Sequence, residues 1–320
     1  MLVNTIIQGN CIETLKTLPD NYVNCCVTSP PYYNLRDYNC NGQIGLEETP
    51  QEYIQKLIDV FREVKRVLSD NGTAWINIGD IYAGSGKGAA NYPENAKLYK
   101  QGTNKGMLGA TATLECKTPG IKNKDLIGIP WMLAFALRDD GWYLRQSIIW
   151  HKPNAMPESV TDRCTKSHEY ILLLSKSARY YFDSNAIKEP VAESSVKRIQ
   201  IEKKLPRYGG KKYTENPDVF YRTKSGNAYD FRPERNKRDV WVVNNKPFNG
   251  AHFAVFPEKL ILPCILSGCP ENGIVLDPFM GSGTTALVAI KNLRKYIGCE
   301  LNPEYIKIAE QRIANEKGLF

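Results

Sequence analysis

Apolar residues along this chain fall into short runs that alternate between two periods. Continuous or β-branched runs predict strands over residues 4–7, 23–28, 73–78, 143–150, 169–174, 274–276 and 296–299. Runs with helical spacing predict helices over 11–18, 130–140, 257–267, 284–293 and 303–314. The best punctuated helix begins at Pro50, where Thr49 and Glu52 form a capping box, and Tyr53, Leu57, Phe61, Val64 and Leu68 recur on one face. Asp70-Asn71-Gly72 is expected to stop it. Strands alternating with helices imply a mostly parallel sheet covered on both faces, hence an α/β protein.

Two stretches break the rhythm. Residues 83–124 are rich in Gly, Asn, Thr and Lys without a sustained period, too long for an idle connection, and read as a mobile functional loop. From Lys197 to Arg238 the chain carries thirteen basic and five acidic residues, so the whole net charge of +8 falls in this one segment. Such a segment wants a polyanion, and Tyr208, Tyr213, Tyr221 and Phe231 interleave with its cations, which suits nucleic acid. The nine cysteines contain no C-x-x-C pair, so neither a zinc site nor a disulfide framework is expected. With no signal pattern and no long apolar run, a cytoplasmic protein without a membrane partner is expected.

Chemistry concentrates at two strand ends. Residues 274–286 (IVLDPFMGSGTTA) run from an apolar strand through a glycine turn into a helix, where unpaired N–H groups can meet a ligand. Glu300 ends the following strand, about where a ribose-binding carboxylate falls in such a unit. Alone, Gly281-x-Gly283-x-x-Ala286 fits a nicotinamide or flavin fold equally well. Asp277-Pro278-Phe279, however, puts a carboxylate at the strand tip that suits an amine better than a pyrophosphate. The other tip is Thr28-Ser29-Pro30-Pro31-Tyr32. Its prolines fix an extended turn and remove two donors, leaving carbonyl and hydroxyl acceptors beside an aromatic ring. That arrangement can hold an amino group by its hydrogens, although a Pro-Pro strand terminator looks the same.

Together, TSPPY ahead of DPFMGSGTT resembles the beta-class amino-methyltransferases of bacterial and phage DNA, whose order is circularly permuted. The resemblance extends over nearly the whole chain, excepting the loop and the basic stretch. It implies a Rossmann-like class I methyltransferase fold with a seven-stranded sheet, the first strand lying beside the one that ends in Glu300. It implies a catalytic part over 1–178, a target-recognition region over 179–245 and an S-adenosyl-L-methionine-binding part over 246–320.

By the same resemblance Ser29, Pro30, Pro31 and Tyr32 are catalytic. Asn10, Cys11, His252, Phe253, Pro257, Asp277, Phe279, Gly281, Ser282, Gly283, Thr284 and Glu300 bind the cofactor, with Asp277 at its methionine end and Asn10, where the family usually has Asp, at its adenine. Lys152, Lys197, Arg198, Lys211, Lys212, Arg222, Arg235, Lys237 and Arg238 are the expected DNA contacts, Lys152 touching the flipped base or its phosphates. The implied partner is double-stranded DNA, with a cognate restriction endonuclease and a homodimer both compatible. Serine before Pro-Pro-Tyr leans toward N4-cytosine; N6-adenine, RNA and protein-amide targets are the alternatives.

Overall fold

The computed structural model describes residues 2–38, 40–84, 118, 120–192, 194, 234–245 and 255–317. Of the expected site residues, Lys197, Arg198, Lys211, Lys212, Arg222, His252 and Phe253 lie outside these, as does most of the expected 83–124 loop.

The chain divides into two units, Ser184–Arg238 being one and the rest the other. The larger unit is built on one eight-stranded sheet. In chain order its strands are β1 (Thr5–Gln8), β2 (Val23–Thr28), β3 (Leu68–Ile78), β4 (Tyr143–His151), β5 (His168–Ser175), β8 (Val240–Val242), β9 (Ile274–Asp277) and β10 (Lys295–Glu300). Across the sheet they lie β1-β10-β9-β2-β3-β5-β4-β8. Only β5 runs against its neighbours; every other pairing is parallel. The sheet has one strand more than the expected seven, because Val240–Val242 pairs with β4. The smaller unit, Ser184–Arg238, falls within the stretch of 179–245 expected as a recognition region.

Parallel neighbours need crossovers, and the helices supply them on both faces. One face is covered by α1 (Cys11–Lys16), α2 (Pro50–Val67) and α3 (Ile129–Asp139), whose Leu15, Leu57, Phe61, Val64 and Leu133 pack onto Cys26, Ala74 and Ile76. The other is covered by α4 (Glu258–Gly268), α5 (Thr284–Lys291) and α6 (Pro303–Lys317), whose Leu260, Ile265, Val288 and Ile313 share a core with Cys25, Val27 and Trp75. Neighbouring strand residues thus point into opposite layers, as the two-residue pleat requires, and strands buried on both sides read as unbroken apolar runs.

The capping box forms as the sequence predicts. Thr49 Oγ1 accepts from the Glu52 amide at 3.2 Å and Glu52 Oε2 from the Thr49 amide at 3.1 Å. Asp70-Asn71-Gly72, expected as a stop, instead lies inside β3: the helix ends at Val67, and the register slips between Val23 and Cys25, letting exposed Asp70 and Asn71 bulge out. β1 pairs with β10, Gln8 opposite Glu300, as expected. Among the described residues no helix is long and apolar enough to cross a membrane.

In the smaller unit, β6 (Glu189–Pro190) and β7 (Glu234–Arg235) pair antiparallel. Arg235, Lys237 and Arg238 converge there on Glu189 at 3.7, 3.2 and 3.8 Å.

Candidate functional site

Parallel strands end together at one edge, so β1, β2, β9 and β10 deliver their C-terminal residues side by side. The two tips singled out above meet directly. Thr28 Oγ1 donates to Asp277 Oδ1 at 2.6 Å, joining the strand that carries Ser29-Pro30-Pro31-Tyr32 to the one that enters the glycine turn.

A cavity of about 640 Å³ opens over these ends, within the range of small-molecule sites. Its wall takes Gly9, Asn10 and Cys11 after β1, Ser29 to Tyr32 after β2, and Phe279 to Ser282 with Thr284 after β9. Glu300 ends β10 and Leu301 and Asn302 follow it, and Asn77, Lys152 and Glu169 are also part of the wall.

Of the expected cofactor residues that are described, seven line this wall and three do not. Asp277 is only 1% exposed, and both carboxylate oxygens are taken: Oδ1 by Thr28 and the Phe279 amide (3.0 Å), Oδ2 by Thr285 Oγ1 (2.6 Å). It braces the two tips rather than facing the cavity. Gly283 has φ +79°, and a Cβ there would stand 2.7 Å from that of Ala309, so it is glycine for the close approach of α6. Pro257 is buried at the start of α4, and its neighbours Val255 and Phe256 reach the cavity instead.

Glu300 ends β10 and lines the cavity. Its Oε2 accepts from the Gly281 amide at 2.7 Å and its Oε1 from the Asn302 amide at 2.8 Å. Burial raises its carboxyl against the pull of those two amides. Asn10 caps α1, its Oδ1 accepting from the Ile12 amide at 3.0 Å. Cys11 beside it is buried, which pushes its thiol up to about 12, so it stays protonated.

At the other tip Tyr53 donates to the Pro31 carbonyl at 2.8 Å, locking the turn. The Tyr32 hydroxyl donates to Glu169 Oε2 at 2.7 Å and accepts from Asn77 Nδ2 at 2.9 Å. Asn77 Nδ2 also lies 3.4 Å from Ser29 Oγ. Lys152, expected to touch a base or phosphate, is paired with Glu169, each side chain 15% exposed, and its ammonium lies 4.1 Å from the Trp150 ring centre.

Several contributors were not picked out in the sequence. Arg312 on α6 donates to the Ser282 carbonyl and Oγ and to Thr284 Oγ1 at 2.5, 2.9 and 3.2 Å, gripping the glycine turn from behind. Tyr38 and Tyr305 meet edge to face at 6.3 Å on the wall beside Glu300. The readable signals were a polar Asn77 and an acidic Glu169 at the tips of otherwise apolar strands.

Asp277 carries a measurable consequence. Burial raises its carboxyl to about 6 from 3.8, although Thr28, Thr285 and the Phe279 amide pull it down. The folded protein therefore holds this proton more tightly than the unfolded chain, and the group's contribution to stability falls as pH rises from about 4 to about 6, then stays level. The total loss is about 3 kcal/mol. Asp277→Asn keeps the shape without the charge, so urea unfolding across this range should lose that slope, with the variant more stable than wild type near neutrality.

The chain is similar in sequence and in fold to known DNA methyltransferases. The family model described as DNA methylase, the N6/N4 family, matches residues 23–311. Type II methyltransferase M.Cfr9I of Citrobacter freundii is 44% identical over 312 residues, covering 98% of this chain and 88% of that one. The cytosine-N4-specific PvuII DNA methyltransferase superposes with a TM-score of 0.62 at 17% identity, covering 99% of this chain and 92% of its own. The protein TTHA0409 of Thermus thermophilus, solved with S-adenosyl-L-methionine, does so at 0.54 and 24%, covering 98% and 95%. On the match through both strand tips and an identity above two in five along nearly its whole length, the chain belongs to the N6/N4 family of DNA methylases.

Proposed function

We propose that the protein methylates the exocyclic amino group of cytosine at N4, with S-adenosyl-L-methionine as donor. The observation that carries this is the Thr28–Asp277 bond, which sets an amino-accepting tip beside a glycine turn within one cavity. The serine at the head of the proline tip and the fold shared with the cytosine-N4-specific PvuII enzyme favour cytosine over adenine.

The wall fits the donor. Glu300 has its carboxylate fixed by two backbone amides, with lone pairs left for a ribose diol. Phe279, Gly281, Ser282 and Thr284 border the space for the methionine end, a place Asp277 does not reach. Asn10 and Cys11, with the Tyr38–Tyr305 pair, border the space for the adenine. Once bound, S-adenosyl-L-methionine supplies a methyl carbon already activated by its sulfonium.

The chain's own part is placement. A stacked base cannot reach this depth, so the target leaves the duplex and enters over the Tyr32 ring. Ser29 Oγ and the Pro30 carbonyl accept the two amino hydrogens, turning the nitrogen lone pair toward the methyl carbon. Transfer of the methyl would leave S-adenosyl-L-homocysteine, and the nitrogen would give up its surplus hydrogen as a proton to solvent from the side where Ser29 Oγ and the Pro30 carbonyl accept the amino hydrogens. The basic segment, with Lys197, Arg198, Lys211, Lys212 and Arg222 in it, binds phosphates of double-stranded DNA, and a cognate endonuclease would share the recognised site. Nucleoside mass spectrometry of DNA from cells expressing the chain should show N4-methylcytosine. N6-methyladenine in its place would overturn the choice of base, and neither product would overturn the activity.

A further inference from the structure

Glu169 stands at the edge of β5, inside the catalytic cavity, and the methyl transfer set out above does not use it. Its carboxylate is nonetheless where the site's polar groups converge. Oε2 takes the Tyr32 hydroxyl at 2.7 Å and Asn77 Nδ2 at 3.3 Å, and Oε1 takes the Lys152 ammonium. Asn77, 4% exposed, passes this order on, with its Nδ2 shared between the Tyr32 oxygen and Ser29 Oγ. The Tyr32 ring is held from a second side by Gly79, where a Cβ would stand 2.7 Å from the ring edge. Burying a carboxylate here costs desolvation, which the Lys152 ammonium and two neutral donors offset. Such an arrangement calls for a purpose beyond packing.

We propose that Glu169, backed by Lys152, is a positioning residue for the transfer: it clamps the Tyr32 hydroxyl, aims the Ser29 hydroxyl through Asn77, and makes the Tyr32 ring a more electron-rich face for the base. This rests on Tyr32 being the stacking surface. A phenol that gives its hydrogen to an anion gains electron density in the ring, and a cation is drawn to such a face. The target base is neutral on arrival and turns cationic only as the methyl carbon reaches its nitrogen. The attraction therefore grows toward the transition state and appears in the rate rather than in binding. Burial, and then the charge of Glu169, keep the Tyr32 phenol well above its ordinary value, so it remains a neutral donor throughout.

Glu169→Gln keeps the side chain's size and removes the charge, while Tyr32→Phe keeps the ring and removes the link. Each should slow single-turnover methylation by about tenfold or more, with affinities for S-adenosyl-L-methionine and duplex held within about twofold. The combined variant should lose less than the two single losses multiplied together, because the Tyr32 link is common to both and only the hold of Glu169 on Asn77 is left to lose. A Glu169→Gln enzyme at the wild-type rate, a loss that recurs in full on the Tyr32→Phe background, or an equal loss of duplex affinity would each overturn the proposal. Should Glu169→Gln fail to fold with Lys152 unpaired, Glu169→Gln with Lys152→Met restores neutrality and carries the same expectation. Tyr32→Leu, which removes the ring, separates the two readings: full activity there would overturn the stacking role itself, whereas a slow Tyr32→Leu beside a fast Glu169→Gln would overturn the clamp alone.

Discussion

Ser29→Ala should lower the single-turnover methylation rate by about 10²–10³-fold while leaving the affinity for S-adenosyl-L-methionine nearly unchanged, the size of effect seen when one preorganised polar contact is removed from a reacting group. The separation follows from what Ser29 touches. Its hydroxyl meets Asn77 Nδ2 at a long 3.4 Å and the Tyr32 side chain, and its backbone lies in a turn fixed by two prolines and by the Tyr53 bond to Pro31. Truncation therefore costs the fold little. What goes is the acceptor beside the target amino group, and with it the orientation of the nitrogen lone pair. The Pro30 carbonyl holds only one hydrogen and leaves the amino group free to stay conjugated with its ring. Rapid-quench methylation with excess enzyme, paired with a cofactor titration, reads both quantities. An alanine enzyme at the wild-type rate would remove Ser29 from the chemistry.

Both tips were legible in the sequence because each is a run of special residues in a fixed order. Two adjacent prolines after an apolar strand, and two glycines ahead of a helix, admit few backbone shapes, so the site's outline follows from residue types alone. The alternation of strand and helix was equally legible, since burial on both faces leaves strands as unbroken apolar runs. The burial of Asp277 was not. A carboxylate at a strand tip reads as a ligand contact, and only the fold shows Thr28, from a strand far away in sequence, closing over it together with the nearby Thr285. The partner of Lys152 was equally hidden, because Glu169 lies seventeen residues on, across an antiparallel pairing. The eighth strand was hidden because Val240–Val242 is a short edge strand next to a charged stretch and has no pattern of its own.

Glu300→Ala should weaken S-adenosyl-L-methionine binding by about 10²–10³-fold, as expected for losing charge-assisted hydrogen bonds at about 1.5–3 kcal/mol each. Two losses combine. The carboxylate oxygens that would meet a ribose diol go, and the Gly281 and Asn302 amides they accept from at 2.7 and 2.8 Å are left without that partner beside the cavity. The second loss matters because Gly281 belongs to the turn that borders the methionine end, so one substitution loosens the site at both ends of the donor. Glu300→Gln isolates the first effect: its amide oxygen can still take one backbone amide, so the turn stays closed while one acceptor for the diol is lost, and the weakening should be smaller than for alanine. Calorimetric titration with S-adenosyl-L-methionine and with S-adenosyl-L-homocysteine should show the same ordering for both, since Glu300 meets the part they share. If alanine bound both ligands as tightly as wild type, the ribose would have to sit elsewhere in the cavity, and the placement of the donor along β10 would fall with it.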